Sequence, residues 1–202
     1  MDERARPLDE RDLDRDPFRQ FAVWFADAAA VRVPEAMAIA TATADGEPSL
    51  RMVLLKGFDE HGFVFFTGYA SRKGRELDAN PRAALLFYWD PLGRQVRVEG
   101  AVERVPGDES ERYFHSRPRG AQIAALASRQ STVIGSRAEL DARVAELERQ
   151  LEGCDVPLPP QWGGFRLVPV AFEFWRHREN RLHDRLRYRR DGGRWLIERL
   201  SP

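Results

Sequence analysis

From Ala36 onward the apolar residues alternate, and the alternating runs are cut at short intervals by tight-turn residues. Ala36–Thr43, Leu50–Lys56 and Phe63–Thr67 read as strands separated by Asp45-Gly46 and by Asp59-Glu60-His61-Gly62, both good hairpin connections. Arg82–Trp89 and Arg94–Val105 follow, joined by Asp90-Pro91-Leu92-Gly93. Strands linked in this way predict an antiparallel barrel or strongly coiled sheet. Phe165–Arg176, Asp184–Arg190 and Arg194–Leu200 complete the sheet, the last two across an Asp191-Gly192-Gly193 turn.

The remaining segments carry helical signals. Asp16-Pro17 is an N-cap followed by a first-turn proline, and Phe18, Phe21 and Phe25 recur behind it with Trp24 beside them, an aromatic stripe for core packing. Ser71 to Asn80 is a short helix stopped by Pro81, and Asp108–Ala127 is helical with an interruption near Pro118. Ser136-Arg137-Ala138-Glu139 is a capping box ahead of an apolar stripe at Leu140, Val144, Leu147 and Leu151. The polar stretch Met1–Asp16 reads as a mobile tail, and residues 17–202 as a single α+β domain with peripheral helices.

Several function classes are excluded. Acidic and basic residues are equal at 32 each, which argues against a nucleic-acid binder relying on global positive potential. No apolar run approaches the roughly 20 residues that span a bilayer, and the charged N-terminus lacks the apolar stretch of a signal peptide, so a soluble cytoplasmic protein is expected. The single cysteine, Cys154, excludes an internal disulfide. His61, His115, His177 and His183 show no ligand spacing with carboxylates, so no metal is expected. Dinucleotide and phosphate-loop glycine spacings are absent, and so is a serine nucleophile motif.

Chemistry is left to the cations and aromatics. All the basic residues are arginine except Lys56 and Lys73; a lysine in such a background offers a compact ammonium that a guanidinium does not imitate. Arg51 and Lys56 bracket an apolar strand and differ in parity, so they should serve different groups. Phe66-Thr67 followed by Ser71-Arg72-Lys73 at a helix start offers N–H groups, a hydroxyl and two cations to a phosphate dianion. Tyr113 and Arg117 share a helix face. In an extended chain, Arg181, His183 and Arg185 lie on one face, where they repel one another unless a ligand intervenes.

The runs RMVLLK, SRKGREL, RQVRVEG, YFHSRPR, SRQS, WGGFRL and RLHDR together resemble the pyridoxamine 5′-phosphate oxidase family, in its order and spacing from about Asp12 to Pro202. The resemblance implies an antiparallel split β-barrel, a homodimer with FMN in clefts between the subunits, and oxidation of pyridoxamine or pyridoxine 5′-phosphate by O2 to pyridoxal 5′-phosphate and peroxide. It implies that Arg51, Arg72, Lys73, Gln130 and Ser131 hold the FMN phosphate and ribityl chain, that Met52, Val53, Leu54, Phe66 and Thr67 lie along the flavin, and that Gln95, Trp175 and Arg185 complete that pocket. Lys56, Tyr113 and Arg117 match the clamp on the substrate phosphate, with Lys56 also bordering the cofactor, and Arg181 and His183 match the catalytic pair over the substrate ring. The chain departs from the family pattern at Ala121, where a serine is usual, at His177, where glycine is usual, and in lacking an Arg-x-x-Tyr pattern within Met1–Asp16. Two other readings keep the flavin: an oxidase of another aromatic such as a phenazine precursor, on which a phosphate clamp is wasted, and a non-catalytic protein that binds FMN or pyridoxal phosphate.

Overall fold

The structure is a computed structural model that describes residues 7–202. Asp16 caps the first helix as its chemistry requires: its carboxylate accepts from Phe18 N at 2.9 Å, ahead of Pro17 in the first turn. That helix, α1 (Pro17–Asp27), lays Phe21 and Trp24 into the core. Phe21 is fully buried and meets Phe58, Phe63 and Phe87 edge-on at centroid distances of 4.9, 4.8 and 5.0 Å, the geometry that ring quadrupoles favour.

The alternating segments form nine strands, paired antiparallel throughout. They are β1 (Ala36–Ala42), β2 (Pro48–Leu54), β3 (Gly57–Asp59), β4 (Gly62–Gly68), β5 (Arg82–Trp89), β6 (Arg94–Arg104), β7 (Trp162–Arg176), β8 (Asp184–Asp191) and β9 (Arg194–Arg199). The order across the sheet is β2-β1-β5-β6-β7-β4-β3, with β8 joining β7 to β9. β7 organises this arrangement. One edge pairs with β6 along its length, while the other pairs first with β4 (Trp162 to Leu167) and then with β8 (Ala171 to Arg176). The sheet forks there, which splits the barrel. A bulge between Glu99 and Gly100 marks the fork. Pro169 sits opposite it, and a Cβ on Gly100 would come within 2.0 Å of Val168 O, so the bend needs glycine on one strand and tolerates a missing N–H on the other.

Four more helices lie around the sheet: α2 (Arg72–Ala79), α3 (Gly107–Ser116), α4 (Arg119–Ala127) and α5 (Arg137–Gln150). The helix expected over Asp108–Ala127 is two helices, because Arg117 is extended ahead of Pro118. The capping box of α5 forms on one side, Ser136 Oγ accepting from Glu139 N at 3.2 Å. Its other half is displaced, since the Glu139 carboxylate takes Gly135 N instead. Val144 and Leu147 of α5, with Leu151 at its C-terminal cap, pack with Phe114, Ile123 and Val156 in a second small core.

Two expectations need correction. Within the expected tail of Met1–Asp16, residues 7–16 are docked: Leu8 and Leu13 are buried, Leu8 N donates to Asp184 Oδ2 at 3.0 Å, and the Tyr188 hydroxyl donates to Asp14 O at 2.6 Å. Two leucines in a polar segment suffice to pin it; residues 1–6 lie outside the described residues. The strand expected to reach Lys56 ends at Leu54, so the irregular link to β3, where Lys56 N donates to Val64 O at 2.8 Å, and not strand parity, sets the direction of Lys56.

Candidate active site

A cavity of about 910 Å³ opens between the end of β2, the end of β4, the α3–α4 junction and the start of β7. That is at the upper end of the roughly 300–1,000 Å³ usual for ligand pockets. Met52, Val53 and Leu54 wall it from β2, Phe66 and Thr67 from β4, and Lys56, Lys73, Tyr113, Arg117 and Gln130 also line it. Ten of the expected site residues thus converge on one space.

At one end is a ready anion cradle. Ser71 caps α2, its hydroxyl accepting from Gly74 N at 3.2 Å. A Cβ at Gly74 would fall 2.0 Å from Tyr69 O, so only glycine lets the helix start this close to the preceding turn. Lys73 is buried and donates to Thr67 Oγ1 at 2.9 Å, and Thr67 donates in turn to Gln130 Oε1 at 2.9 Å. Burial, reinforced by the neighbouring Arg51 charge, brings the Lys73 ammonium down to about 8, with Glu76 opposing. An ammonium held among hydroxyls without a contacting carboxylate is suited to an incoming phosphate.

Arg51 and Arg72 are not in the cavity wall; both are tied to Glu76. Arg51 reaches Glu76 Oε2 at 3.3 Å and Thr41 Oγ1 at 2.5 Å and also bonds Ser49, while Arg72 Nε donates to Glu76 Oε1 at 2.8 Å. Burial alone would raise the Glu76 carboxyl, but hydrogen bonds from Ser49, Thr41, Arg72 and Arg51 hold it at about 2. The Arg72–Glu76 spacing of four residues on a helix was the sequence signal for this pair.

At the other end is a cationic aromatic stack. The Tyr113 ring lies on Phe66 at 3.9 Å, nearly parallel, with Trp162 stacked at 5.5 Å from Phe66. Arg117 sits 5.0 Å from the Trp162 ring centre. Its Nη1 is buried without a hydrogen-bond partner, and burial lowers the guanidinium's pKa. A buried donor of this kind carries a desolvation cost of about 1–3 kcal/mol until an acceptor arrives. Trp162 lies in the quoted WGGFRL run but had no assigned role. Ala121 and Ser131 are not in the wall; Ser131 instead supplies a left-handed turn at φ 69° in the loop after α4.

A second cluster lies outside this cavity. Gln95, Trp175 and Arg185 stand side by side across β6, β7 and β8. Glu173, buried between, binds Arg185 through both oxygens at 2.9 and 3.1 Å and Arg97 at 2.8 Å. His183 lies 4.6 Å from Trp175 and 5.3 Å from His177, ring centre to ring centre. Its Nδ1 accepts from Arg178 N at 3.1 Å, which leaves Nε2 to carry the proton of the neutral ring. Burial, then His177 and Arg181, lower its pKa. The expected common face of Arg181, His183 and Arg185 is not formed. Asn180 and Arg181 are left-handed at φ 54° and 60°, β8 starts only at Asp184, and a tight turn replaces the alternation.

Two family models match the chain: "Pyridoxamine 5′-phosphate oxidase" over residues 26–150, and "Pyridoxine 5′-phosphate oxidase C-terminal dimerisation region" over residues 162–202. Curated pyridoxine/pyridoxamine 5′-phosphate oxidases from Rubrobacter xylanophilus and Bordetella pertussis are 59% and 58% identical, each alignment spanning 96% of this chain and 91% and 93% of the relative. Among solved structures, PhzG of Burkholderia lata in complex with tetrahydrophenazine-1-carboxylic acid superposes with a TM-score of 0.91 at 37% identity, covering 98% of this chain and 99% of that one.

Proposed function

The chain belongs to the pyridoxamine 5′-phosphate oxidase family, and on that premise we propose that its two clusters are complementary halves of one FMN site, joined when two copies associate. The chain is an FMN-dependent oxidoreductase that converts pyridoxamine or pyridoxine 5′-phosphate to pyridoxal 5′-phosphate, reducing O2 to H2O2. For the amine, water is consumed and ammonia released. It acts as a homodimer through its C-terminal region. We place it in the cytoplasm with its family.

The residues fit the cofactor. The cavity joins an apolar wall at Met52–Leu54 and Phe66 to a buried ammonium and hydroxyls at Lys73, Thr67 and Ser71, matching a flat apolar ring that ends in a phosphate. Bound there, FMN would supply a two-electron acceptor for oxidation at the substrate's C4′, with O2 as the final oxidant. Lys73 and Gln130 hold the phosphate end, with Arg51 and Arg72 behind them. Gln95, Trp175 and Arg185 of the second chain close the pocket. Tyr113, Arg117 and Lys56 hold the substrate phosphate, so that remote binding energy aligns the ring. Arg181 stabilises charge developing on that ring, and His183, with Nε2 as its donor, orients the ring or moves a proton.

The observation that carries the B6 reading is Arg117, which lines the same cavity as Lys73 and keeps a buried Nη1 without a hydrogen-bond partner. Two separate cationic ends suit two phosphates, one on the cofactor and one on the substrate. A phenazine-type carboxylic acid has no phosphate for the second. The FMN-loaded protein should form peroxide with pyridoxine and pyridoxamine 5′-phosphates. Absence of peroxide above a buffer control with either would reject the activity, and an apoprotein that cannot be reconstituted with FMN would reject the cofactor as well.

A further inference from the structure

Glu76 is 4% exposed, and hydrogen bonds from Ser49, Thr41, Arg51 and the half-exposed Arg72 keep its carboxylate ionised against burial. Its two oxygens accept from Thr41 at 2.5 Å, Ser49 at 2.5 Å, Arg51 at 3.3 Å and Arg72 at 2.8 Å. Breaking a buried charge network by deleting one member costs more than a surface pair does. Four donors drawn from β1, the β2 edge and α2 onto one carboxylate therefore make a fixed frame. Within that frame Arg51 Nε and Arg72 Nη1 carry none of these bonds.

We propose that Glu76 is the positioning residue of the cofactor-phosphate site: it fixes Arg51 and Arg72 behind Lys73 and trims their charge so that the site selects a phosphomonoester dianion. The inference rests on the reading above that the FMN phosphate enters beside Lys73. Three cations and one buried carboxylate leave two positive charges, the match for a phosphomonoester carrying close to two negative charges at pH 7. Glu47, on the far side of Arg72 at 3.2 Å, is exposed and screened by water. Without Glu76, the three cations would face one another with no internal anion. A glutamine there presents an NH2 group that cannot accept from either guanidinium, so at least one arginine is released.

The test uses the full-length apoprotein, titrated with FMN and separately with riboflavin, which lacks the phosphate, by quenching of flavin fluorescence. Glu76→Gln should weaken FMN roughly 10- to 100-fold, the cost of losing a hydrogen bond to a charged group, and leave riboflavin affinity unchanged. Loss of general structure would weaken both flavins alike. A second readout is the pH profile. Glu76 is the group that raises the Lys73 pKa against burial and Arg51, so the alkaline loss of FMN affinity should move to lower pH in the variant. If Glu76→Gln does not fold, the Thr41→Val/Ser49→Ala pair, which keeps the charge but loosens the carboxylate, should shift the FMN-to-riboflavin ratio in the same direction. An unchanged ratio, or tighter FMN binding, overturns the proposal and leaves the proposed function standing. Failure of the unmutated protein to bind FMN overturns both.

Discussion

Replacing Lys73 with methionine should favour the stability of the cofactor-free protein more below pH 8 than above pH 10.5, where only the loss of its hydrogen bonds to Thr67 and Ser71 remains. The folded chain holds this ammonium at about 8 against an ordinary value of 10.5, and the side chain is 5% exposed, so solvent offers little relief. A shift of that size corresponds to about 3 kcal/mol. Its sign follows from proton counting. Between pH 8 and 10.5 the unfolded chain binds a proton at Lys73 that the folded chain has released, so the folded state gains stability as pH rises. The cost of the buried charge is therefore complete below pH 8 and gone above 10.5. Tyr188, whose hydroxyl is pushed up by burial and by Asp14 and Asp16, acts oppositely at high pH; the difference between the two proteins cancels it. The assay is urea unfolding of both apoproteins from pH 7 to 10.5. The stability of Lys73→Met relative to the unmutated protein is expected to fall by about 3 kcal/mol through this range. Parallel curves would show that Lys73 is not a buried charge. On the proposed placement of the FMN phosphate beside Lys73, FMN affinity should fall roughly tenfold from pH 7 to 9 as the ammonium is lost.

Arg117→Ala should raise KM for either B6 phosphate roughly 10- to 100-fold with little change in kcat; in the free protein it removes no Nη1 hydrogen bond, only the packing of the guanidinium on Trp162 and Phe114. A kcat loss equal to the loss in kcat/KM would move Arg117 from holding substrate to the chemical step. Arg181→Ala should instead lower kcat, by about 100-fold or more if it stabilises transition-state charge; unchanged turnover removes it from the mechanism. His177→Gly should raise the His183 pKa, since His177 is one of the groups lowering it. Titration of the ring by NMR in both proteins checks this, and an unmoved or lowered midpoint would refute it.

Local signals were sufficient wherever a segment's own pattern decides its state. The alternation of Arg82–Trp89 and Arg94–Val105, the Asp16-Pro17 start of α1 and the Ser136 cap of α5 correspond to elements in the structure within a residue or so. Their causes are side-chain parity and capping, which need only neighbours along the chain. Misreadings came where distant residues compete. Leu8 docks where Asp184 of β8 and Arg199 of β9 offer hydrogen bonds far along the chain, and Leu13 is buried in the core. Arg181 leaves the extended path through two left-handed residues that no alternation forecasts.

The same division runs through the site. By itself the sequence determined which groups are present: two lysines in an arginine-rich chain, a hydroxyl-capped helix start, and a Tyr113/Arg117 pair. Their collection around one cavity follows from the barrel, which brings β2, β4 and α3 together. Only the tertiary structure decided that Arg51 and Arg72 are held by Glu76, and that Gln95, Trp175 and Arg185 lie outside that cavity. The reason is physical: whether a guanidinium is paired or waiting depends on acceptors brought from other strands, and a row of side chains across three strands exists only once their register is set.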